Sequence, residues 1–233
     1  MIGGRRVLAV VPARGGSKGI PLKNLRHVAG RSLVAHAAGI AAAVDEIDRR
    51  VVSTDHEGIA TEAEAHGLAA PFRRPEALSG DRVGDWDVLQ HALTEMERID
   101  GCIYDIVVML QPTSPLRTAA NVRDTIVKLV DGGHDAVWTV SPTDLKYHPL
   151  KQLSVEDGRM QFFDPRGAGI IARQQLSPVY HRNGVAYAFT RDCLLEHGAI
   201  MGPDTGAVVI EGAHVSIDTL EDIDKVEAHF LKE

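Results

Sequence analysis

Residues 13–24 are the part of this chain best suited to chemistry, and they read Ala-Arg-Gly-Gly-Ser-Lys-Gly-Ile-Pro-Leu-Lys-Asn. Their three glycines let a backbone turn tightly and bring its N–H groups close to a bound group. Arg14, Lys18 and Lys23 place positive charge over the same stretch. Because a polyphosphate is bound by amides and cations together, the segment predicts a polyphosphate-binding loop.

Two familiar phosphate-binding motifs do not fit this loop. It has neither the Gly-x-x-x-x-Gly-Lys-[Ser/Thr] of a Walker A loop nor the Gly-x-Gly-x-x-Gly of a dinucleotide-binding fingerprint. The missing fingerprint argues against a dehydrogenase. A glycine- and lysine-rich surface loop without a ligand is the structural alternative.

Short apolar runs alternate with longer amphipathic segments along most of the chain, and the loop follows the first run. This alternation predicts a mostly parallel sheet covered by helices on both faces, a three-layer α/β/α domain. Within it, Thr118 is a candidate N-cap and the pair at 132–133 a candidate helix end. The expected strands are 7–11, 51–53, 106–110 and 136–140, and the expected helices are 32–44, 57–66, 86–98 and 121–130.

Ligands of such sheets bind beyond the carboxyl ends of the strands. The loops at 12–24, 54–56, 111–117 and 141–148 each follow a predicted strand. We therefore expect these four loops to converge on one rim of the sheet.

The alternation breaks over residues 142–182, which are rich in Pro, Gly, Gln and charge. Within them, 152–163 predicts a hairpin or an irregular arm. The aromatic residues of the stretch argue against disorder, because disordered segments are poor in them. Strands at 185–189 and 207–210 and helices at 192–197 and 219–231 follow. We predict one domain over 1–233, with 142–182 as an arm.

Composition limits the partners of the chain. The net charge of −7 over 233 residues argues against nucleic acid, so an anionic substrate must be met by local cations. Cys102 and Cys193 form no Cys-x-x-Cys motif, and two reduced thiols are typical of the cytoplasm. The first six residues are too short for a signal peptide, and no apolar run approaches a membrane span. We expect a cytoplasmic protein without membrane contact.

Residues 13–24 resemble the opening signature of the CMP-N-acylneuraminate synthetases, or acylneuraminate cytidylyltransferases. Further segments match the signatures of that family in the same order and cover nearly the whole chain. Each match is weak alone, and together they are specific. These segments are 52–55, 73–75, 110–117, 148–151, 173–175, 182–184 and 217–219.

The resemblance implies a Rossmann-like nucleotidyltransferase fold with a dimerisation arm. It also implies that the anomeric hydroxyl of a 2-keto-3-deoxy sugar acid attacks the α-phosphorus of CTP and releases pyrophosphate. Mg²⁺ is the implied cofactor, with Mn²⁺ as its substitute. N-acetylneuraminate is the leading acceptor, followed closely by legionaminate, pseudaminate and other nonulosonates. Two alternatives stay open: CMP transfer to an octulosonate or a phosphonate, and a nucleotide-binding homologue with little activity.

The resemblance also assigns roles to individual residues. Arg14, Lys18 and Lys23 would be catalytic, and Asp218 would bind the metal. Solvated surface charge, loop capping and interface contacts are the structural alternatives for these polar residues. The nucleotide would be bound by Arg14, Gly16, Ser17, Lys23, Asn24, Arg74 and Gln111, and the sugar acid by Gln111, Lys151 and Arg173.

The chain departs from the family pattern at two positions. Ser216 stands where the family has an aspartate, in an Asp-Ile-Asp motif that here ends with Asp218. A hydroxyl is a weaker Mg²⁺ ligand than a carboxylate. Asp222 and Asp224 lie nearby, but their place early in the last predicted helix favours a helix-terminal role. Asp85 replaces a serine that contacts the triphosphate in the best-known members, so it must turn away or the local arrangement must differ.

Overall fold

The computed structural model describes residues 1–212 and 214–231. In chain order the elements are β1 (Val7–Pro12), β2 (His27–Val28), β3 (Arg31–Ser32), α1 (Leu33–Ala42), β4 (Arg49–Ser53), α2 (Glu57–Ala65), α3 (Asp85–Asp100), β5 (Ile106–Met109), α4 (Ala119–Gly132), β6 (Ala136–Pro142), β7 (Leu153–Glu156), β8 (Arg159–Phe162), β9 (Tyr180–Thr190), α5 (Arg191–Leu195), β10 (Thr205–Val209) and α6 (Leu220–Phe230). All predicted strands and helices are present, with ends shifted by a few residues.

The central sheet has the strand order β10-β6-β9-β5-β1-β4. Every pairing in it is parallel except those of β9, which runs antiparallel to both β5 and β6. The predicted mostly parallel sheet is therefore confirmed. β9 starts at Tyr180, five residues before the predicted strand, so it also takes in the end of the predicted arm.

Both faces of the sheet are covered, which explains why the central strands β1 and β5 are apolar along almost their whole length. Successive side chains of a strand point to opposite faces. In β1, Ala9 and Val11 pack with α1, α2 and α4, whereas Leu8 and Val10 pack with α3 and α5. The α/β/α layering predicted from the alternation is confirmed.

Local capping sets where the helices begin. Thr118 accepts a hydrogen bond from the Asn121 amide at 3.2 Å, and Gly133, at φ 64°, ends α4, as predicted. The N-cap of α2 is His56, whose Nδ1 accepts from the Gly58 amide at 3.1 Å. Asp55, a residue of a typical capping type one position earlier, is not the cap.

The arm is an exposed segment beside the sheet. It contains the predicted hairpin, formed by β7 and β8, and several single helical turns. Its apolar residues are unusually exposed: Ile171 is 93%, Phe163 74% and Met160 68% accessible. In the described parts of the chain, no helix has the length and apolar character needed to cross a membrane.

Candidate active site

A cavity of about 630 Å³ opens at the carboxyl ends of β1 and β5. We call it the rim cavity. Four loops were expected at this rim, and two of them, those after β1 and β5, line the cavity. Residues from 78–88 and 216–218 line it as well. Its lining residues are Pro12, Arg14, Ser17, Lys18, Gly19, Lys23, Asn24, Arg74, Leu78, Gly80, Asp81, Val83, Asp85, Val88, Gln111, Pro112, Thr113, Ser216 and Asp218.

The glycine-rich loop is fixed by contacts with neighbouring segments. The Gly15 amide donates to Asp55 Oδ1 at 2.8 Å. A Cβ at Gly15 would lie 2.9 Å from the Cβ of His56, so only glycine fits there. Asn24, which is 5% exposed, donates from Nδ2 to the Arg14 carbonyl at 2.9 Å. Asp55 and Asn24 therefore hold the shape of the loop that presents Arg14.

Lys23 reaches across the cavity to its opposite wall. Its Nζ donates to the carbonyl of Ile217 and to Asp218 Oδ1, both at 2.9 Å. The preceding residue, Leu22, has φ 47° and ψ 41°, a left-handed conformation that costs a non-glycine residue about 1–2 kcal/mol. That strain is retained where the chain turns to direct Lys23 into the site, as is common in functional loops.

Arg14 and Lys18 both contact one carboxylate. Arg14 Nη1 lies 2.7 Å from Asp81 Oδ1, and Lys18 Nζ lies 2.5 Å from Asp81 Oδ2. These two cations lower the pKa of Asp81, Lys18 contributing most. Sequence reasoning missed Asp81, because its loop matches none of the signature segments. Only its place close to two glycines ahead of α3 could have drawn attention to it.

Arg74 is a buried cation in the wall of the cavity, 5% exposed. Its amide donates to the Thr54 carbonyl at 2.8 Å, while its buried Nε has no hydrogen-bond partner within the described ranges. Burial lowers the pKa of Arg74, and the nearby Asp55 carboxylate acts in the opposite direction. A buried donor without a partner is costly, so this guanidinium is suited to an anionic ligand.

Asp85 lies in the wall of the rim cavity. It is the first residue of α3 and part of the lining. Burial raises the pKa of Asp85, and the positive charge of Arg182 works against that rise. Its carboxylate is therefore near Arg182 at the edge of the site, and whether it turns from the phosphates or the local arrangement differs stays a prediction.

A buried arginine organises the turn that carries Gln111. The Arg117 guanidinium donates to the carbonyl oxygens of Gln111, Ser114 and Gly184. Burial lowers the pKa of Arg117 to about 9, which leaves it charged at neutral pH. Gly184, at φ 72°, lies against the side chains of Gln111 and Ser114. A Cβ at Gly184 would be 2.9 Å from Gln111 Oε1 and 2.7 Å from Ser114 Oγ. Arg117 and Gly184 therefore position Gln111, and sequence reasoning gave neither this role.

The candidate metal position has one carboxylate. Asp218 and Ser216 both line the cavity, and no cluster of three potential metal ligands occurs over 1–212 and 214–231. Mg²⁺ is commonly held by one or two carboxylates together with substrate phosphates and water. A site with Asp218 alone fits an ion that takes most of its ligands from a nucleotide.

Asp222 has the helix-terminal role expected for it. Its Oδ2 accepts from the amides of Asp218 at 3.1 Å and Thr219 at 2.9 Å. Burial alone would raise the pKa of Asp222, but the hydrogen bond from the Thr219 hydroxyl, the two amides and Lys225 lower it to about 2. Asp222 thus fixes the backbone that carries Asp218.

The two residues assigned to the sugar acid lie elsewhere. Lys151 and Arg173 line a second cavity of about 350 Å³ in the arm, which shares no lining residue with the rim cavity. Within one copy of the chain they are not brought to the nucleotide residues, and their role stays a prediction. Gly16 belongs to the loop but not to the lining, so its role stays a prediction as well.

The rim cavity is locally positive in an acidic protein. Four cationic side chains line it (Arg14, Lys18, Lys23 and Arg74), against three carboxylates, whereas the whole chain carries −7. This arrangement agrees with the expectation that local cations, and not the overall field, meet an anionic substrate.

Comparisons with known proteins find similar proteins that are named for cytidylyl transfer. A family model described as "Cytidylyltransferase" matches residues 8–227. The CMP-N,N'-diacetyllegionaminic acid synthase of Legionella pneumophila is 31% identical over 220 residues, which cover 94% of this chain and 93% of that protein. The pseudaminic acid cytidylyltransferase of Campylobacter jejuni is 30% identical, with 93% of each covered.

A solved structure shares the fold. The CMP:2-keto-3-deoxy-manno-octonic acid synthetase complexed with CTP superposes with a TM-score of 0.72 at 19% identity, covering 97% of this chain and 99% of that one. At this identity the likeness concerns the fold alone.

Proposed function

The chain belongs to the cytidylyltransferase family, and on that premise we propose that it transfers CMP from CTP to the anomeric hydroxyl of a nonulosonate, a nine-carbon 2-keto-3-deoxy sugar acid. The observation that carries this proposal is the rim cavity, where the glycine-rich loop, Arg74 and Gln111 meet. Its size and its excess of cations suit a nucleoside triphosphate.

In the proposed reaction the hydroxyl oxygen gives up its proton to water and forms a bond to the α-phosphorus. The bond between that phosphorus and the bridging oxygen to the β-phosphate breaks, and pyrophosphate leaves. Protein groups in such reactions mainly position the reactants and stabilise spread negative charge. Arg14, Lys18, Lys23 and Arg74 would supply that stabilisation. Gln111, held by Arg117 and Gly184, would contact the nucleotide or the acceptor.

We include Mg²⁺, or Mn²⁺ in its place, as the cofactor of this reaction. Asp218 would hold it together with phosphate oxygens, and the ion would neutralise charge on the phosphates. The position of Asp218 supports this assignment, because its carboxylate lies in the cavity lining and is exposed enough to accept an ion.

For the acceptor we propose the nonulosonate class. Two relatives near 30% identity are named for legionaminic and pseudaminic acid, whereas the octulosonate enzyme resembles this chain at 19% identity. N-acetylneuraminate belongs to the same class and is a candidate beside those two. Lys151 and Arg173 would bind the acceptor carboxylate, for which a planar guanidinium is well suited.

We also propose that the chain forms a homodimer through the arm. Ile171, Phe163 and Met160 expose large apolar surface there, and such patches commonly mark interfaces. A second copy would bring its Lys151 and Arg173 toward the rim cavity, which the arm of the same copy does not reach. A cytoplasmic location is part of the proposal, supported by two cysteines that form no disulfide.

The test is pyrophosphate release from CTP and Mg²⁺ with a panel of acids: N-acetylneuraminate, legionaminate, pseudaminate and an octulosonate. ATP, GTP and UTP are the nucleotide controls. Release with CTP and one nonulosonate would support the proposal and identify the acceptor. Release with the octulosonate alone would overturn the acceptor class, and release with another nucleotide alone would overturn the use of CTP.

The departure at Ser216 favours one second candidate, a nucleotide-binding homologue with little activity. It predicts measurable CTP binding without pyrophosphate release for any acid. Binding by calorimetry and release by the coupled assay therefore separate the two candidates.

A further inference from the structure

Asp81 occupies the place where a nucleotide phosphate would be expected. Its two carboxylate oxygens contact Arg14 and Lys18 separately, at 2.7 and 2.5 Å. These are two of the three cations of residues 13–24 that line the rim cavity, the third being Lys23. A carboxylate that takes one charged donor on each oxygen makes the same kind of contact as a phosphate group.

We propose that Asp81 is an internal anion that competes with the triphosphate of CTP, and that it must leave Arg14 and Lys18 when the nucleotide binds. This inference rests on the proposed function. The reason is charge: phosphate oxygens and the carboxylate need the same donors, and two anions close together repel each other. Asp81 therefore determines the affinity for nucleotide without being a ligand of it.

The surroundings of Asp81 allow it to leave. Its side chain is 35% exposed and that of Lys18 is 81% exposed. Ion pairs with this much exposure contribute little net free energy. Among the described residues, Arg14 and Lys18 are the two groups that pair with the Asp81 carboxylate. A triphosphate, with more charge and more oxygens than one carboxylate, can displace it.

A positioning role would predict the opposite effect. If Asp81 stayed in place and oriented Arg14 and Lys18 around the nucleotide, its removal would weaken binding. If it competes, its removal strengthens binding. The sign of one affinity change therefore decides between the two roles.

The experiment measures CTP binding by calorimetry in the absence of any acceptor, for the wild type, Asp81→Asn and Asp81→Ser. Asp131→Asn is the matched control, because it removes one exposed carboxylate on α4, away from the cavity lining. We expect CTP to bind about three- to tenfold tighter to both Asp81 variants, a range set by two exposed ion pairs, and equally to Asp131→Asn. Pyrophosphate, a second probe that has neither base nor sugar, should bind more tightly to the Asp81 variants by a similar factor.

Unchanged or weaker binding of CTP by folded Asp81→Asn and Asp81→Ser would overturn the inference while leaving the proposed function in place. Failure of the wild type to bind CTP at all would overturn both. Tighter binding of CTP without tighter binding of pyrophosphate would also contradict the inference, because Asp81 is proposed to compete with phosphate groups. Thermal unfolding of each variant establishes that the comparison is between folded proteins.

Discussion

Lys23 Nζ lies 2.9 Å from Asp218 Oδ1, so a single ion pair joins residues 195 positions apart in the chain. It connects the loop after β1 with the segment that leads into α6. Lys23 is also the better shielded partner, 17% exposed against 72% for Asp218. The exposed carboxylate is thus accessible to a metal ion, and the shielded ammonium group remains near the phosphates that such an ion would bring.

Replacing Lys23 by alanine should impair the use of CTP without unfolding the protein. The variant loses a cation at the site of charge development, and we expect kcat/KM for CTP to fall about 100-fold or more, the range typical of a lost charge-stabilising donor. The measurement is steady-state pyrophosphate release, with the unfolding midpoint recorded in parallel. Lys128→Ala, an exposed lysine on α4, is the control and should retain wild-type kinetics. Wild-type kinetics for Lys23→Ala would remove Lys23 from the nucleotide site.

Gly184→Ala should reduce both stability and CTP use, because it places a methyl group against Gln111 and Ser114. Its φ of 72° adds a left-handed strain of about 1–2 kcal/mol for alanine. Misplacement of Gln111 should lower kcat/KM for CTP by roughly tenfold. Chemical denaturation and steady-state kinetics measure the two effects.

Gly158→Ala separates strain from contact. Gly158 has φ 75° in the turn between β7 and β8, and a Cβ there meets no atom within 4 Å. This variant should show the stability loss due to strain and leave CTP kinetics unchanged. Equal kinetic losses in both variants would contradict a specific role for the contact between Gly184 and Gln111.

Much of the fold could be predicted because its causes are local. Apolar runs on both faces of a covered sheet, a threonine N-cap at 118 and a left-handed glycine at 133 are all visible in sequence. The direction of β9 was not, because an alternating or apolar run has the same pattern in either direction. His56, the N-cap of α2, is a less usual capping residue and was missed for that reason.

The candidate site also combines features that the sequence could predict with contacts that it could not. The glycine-rich loop is contiguous, so its charges and its amides could be recognised together. The contacts between Asp81 and Arg14 and between Gly184 and Gln111 join segments distant in sequence, and no spacing rule indicates them. The placement of Lys151 and Arg173 in a separate cavity likewise depends on the path of the arm.

Ser216→Asp should lower the Mg²⁺ concentration required for activity. It restores a second carboxylate beside Asp218, and Mg²⁺ prefers carboxylate oxygen to a hydroxyl. Pyrophosphate release measured across a Mg²⁺ titration should reach half its maximum at a lower concentration than in the wild type, whereas Asp218→Ala should lose most activity at every concentration. An identical Mg²⁺ dependence in all three proteins would show that this wall of the cavity does not bind the metal.

Asp222→Ala should destabilise the protein in a pH-dependent way. Asp222 accepts the amides of Asp218 and Thr219, and losing a capping carboxylate typically costs about 1 kcal/mol. Because its pKa is lowered from 3.8 to about 2 on folding, the charged form is favoured in the folded state. The stabilisation is therefore fully present above pH 3.8 and is lost as the pH falls through about 2.

The measurement is the free energy of unfolding from urea titrations between pH 7 and pH 2, for the wild type and Asp222→Ala. The difference should be constant at the upper end and should shrink toward the lower end. Asp224→Ala is the control, because Asp224 lies exposed on the same helix, two residues further along, and exposed substitutions usually change stability by no more than about 0.5 kcal/mol. Since Asp222 holds the amide of Asp218, its loss should also raise the Mg²⁺ requirement, which Asp224→Ala should not. A difference in stability that does not change with pH would mean that Asp222 acts through packing and not through its charge.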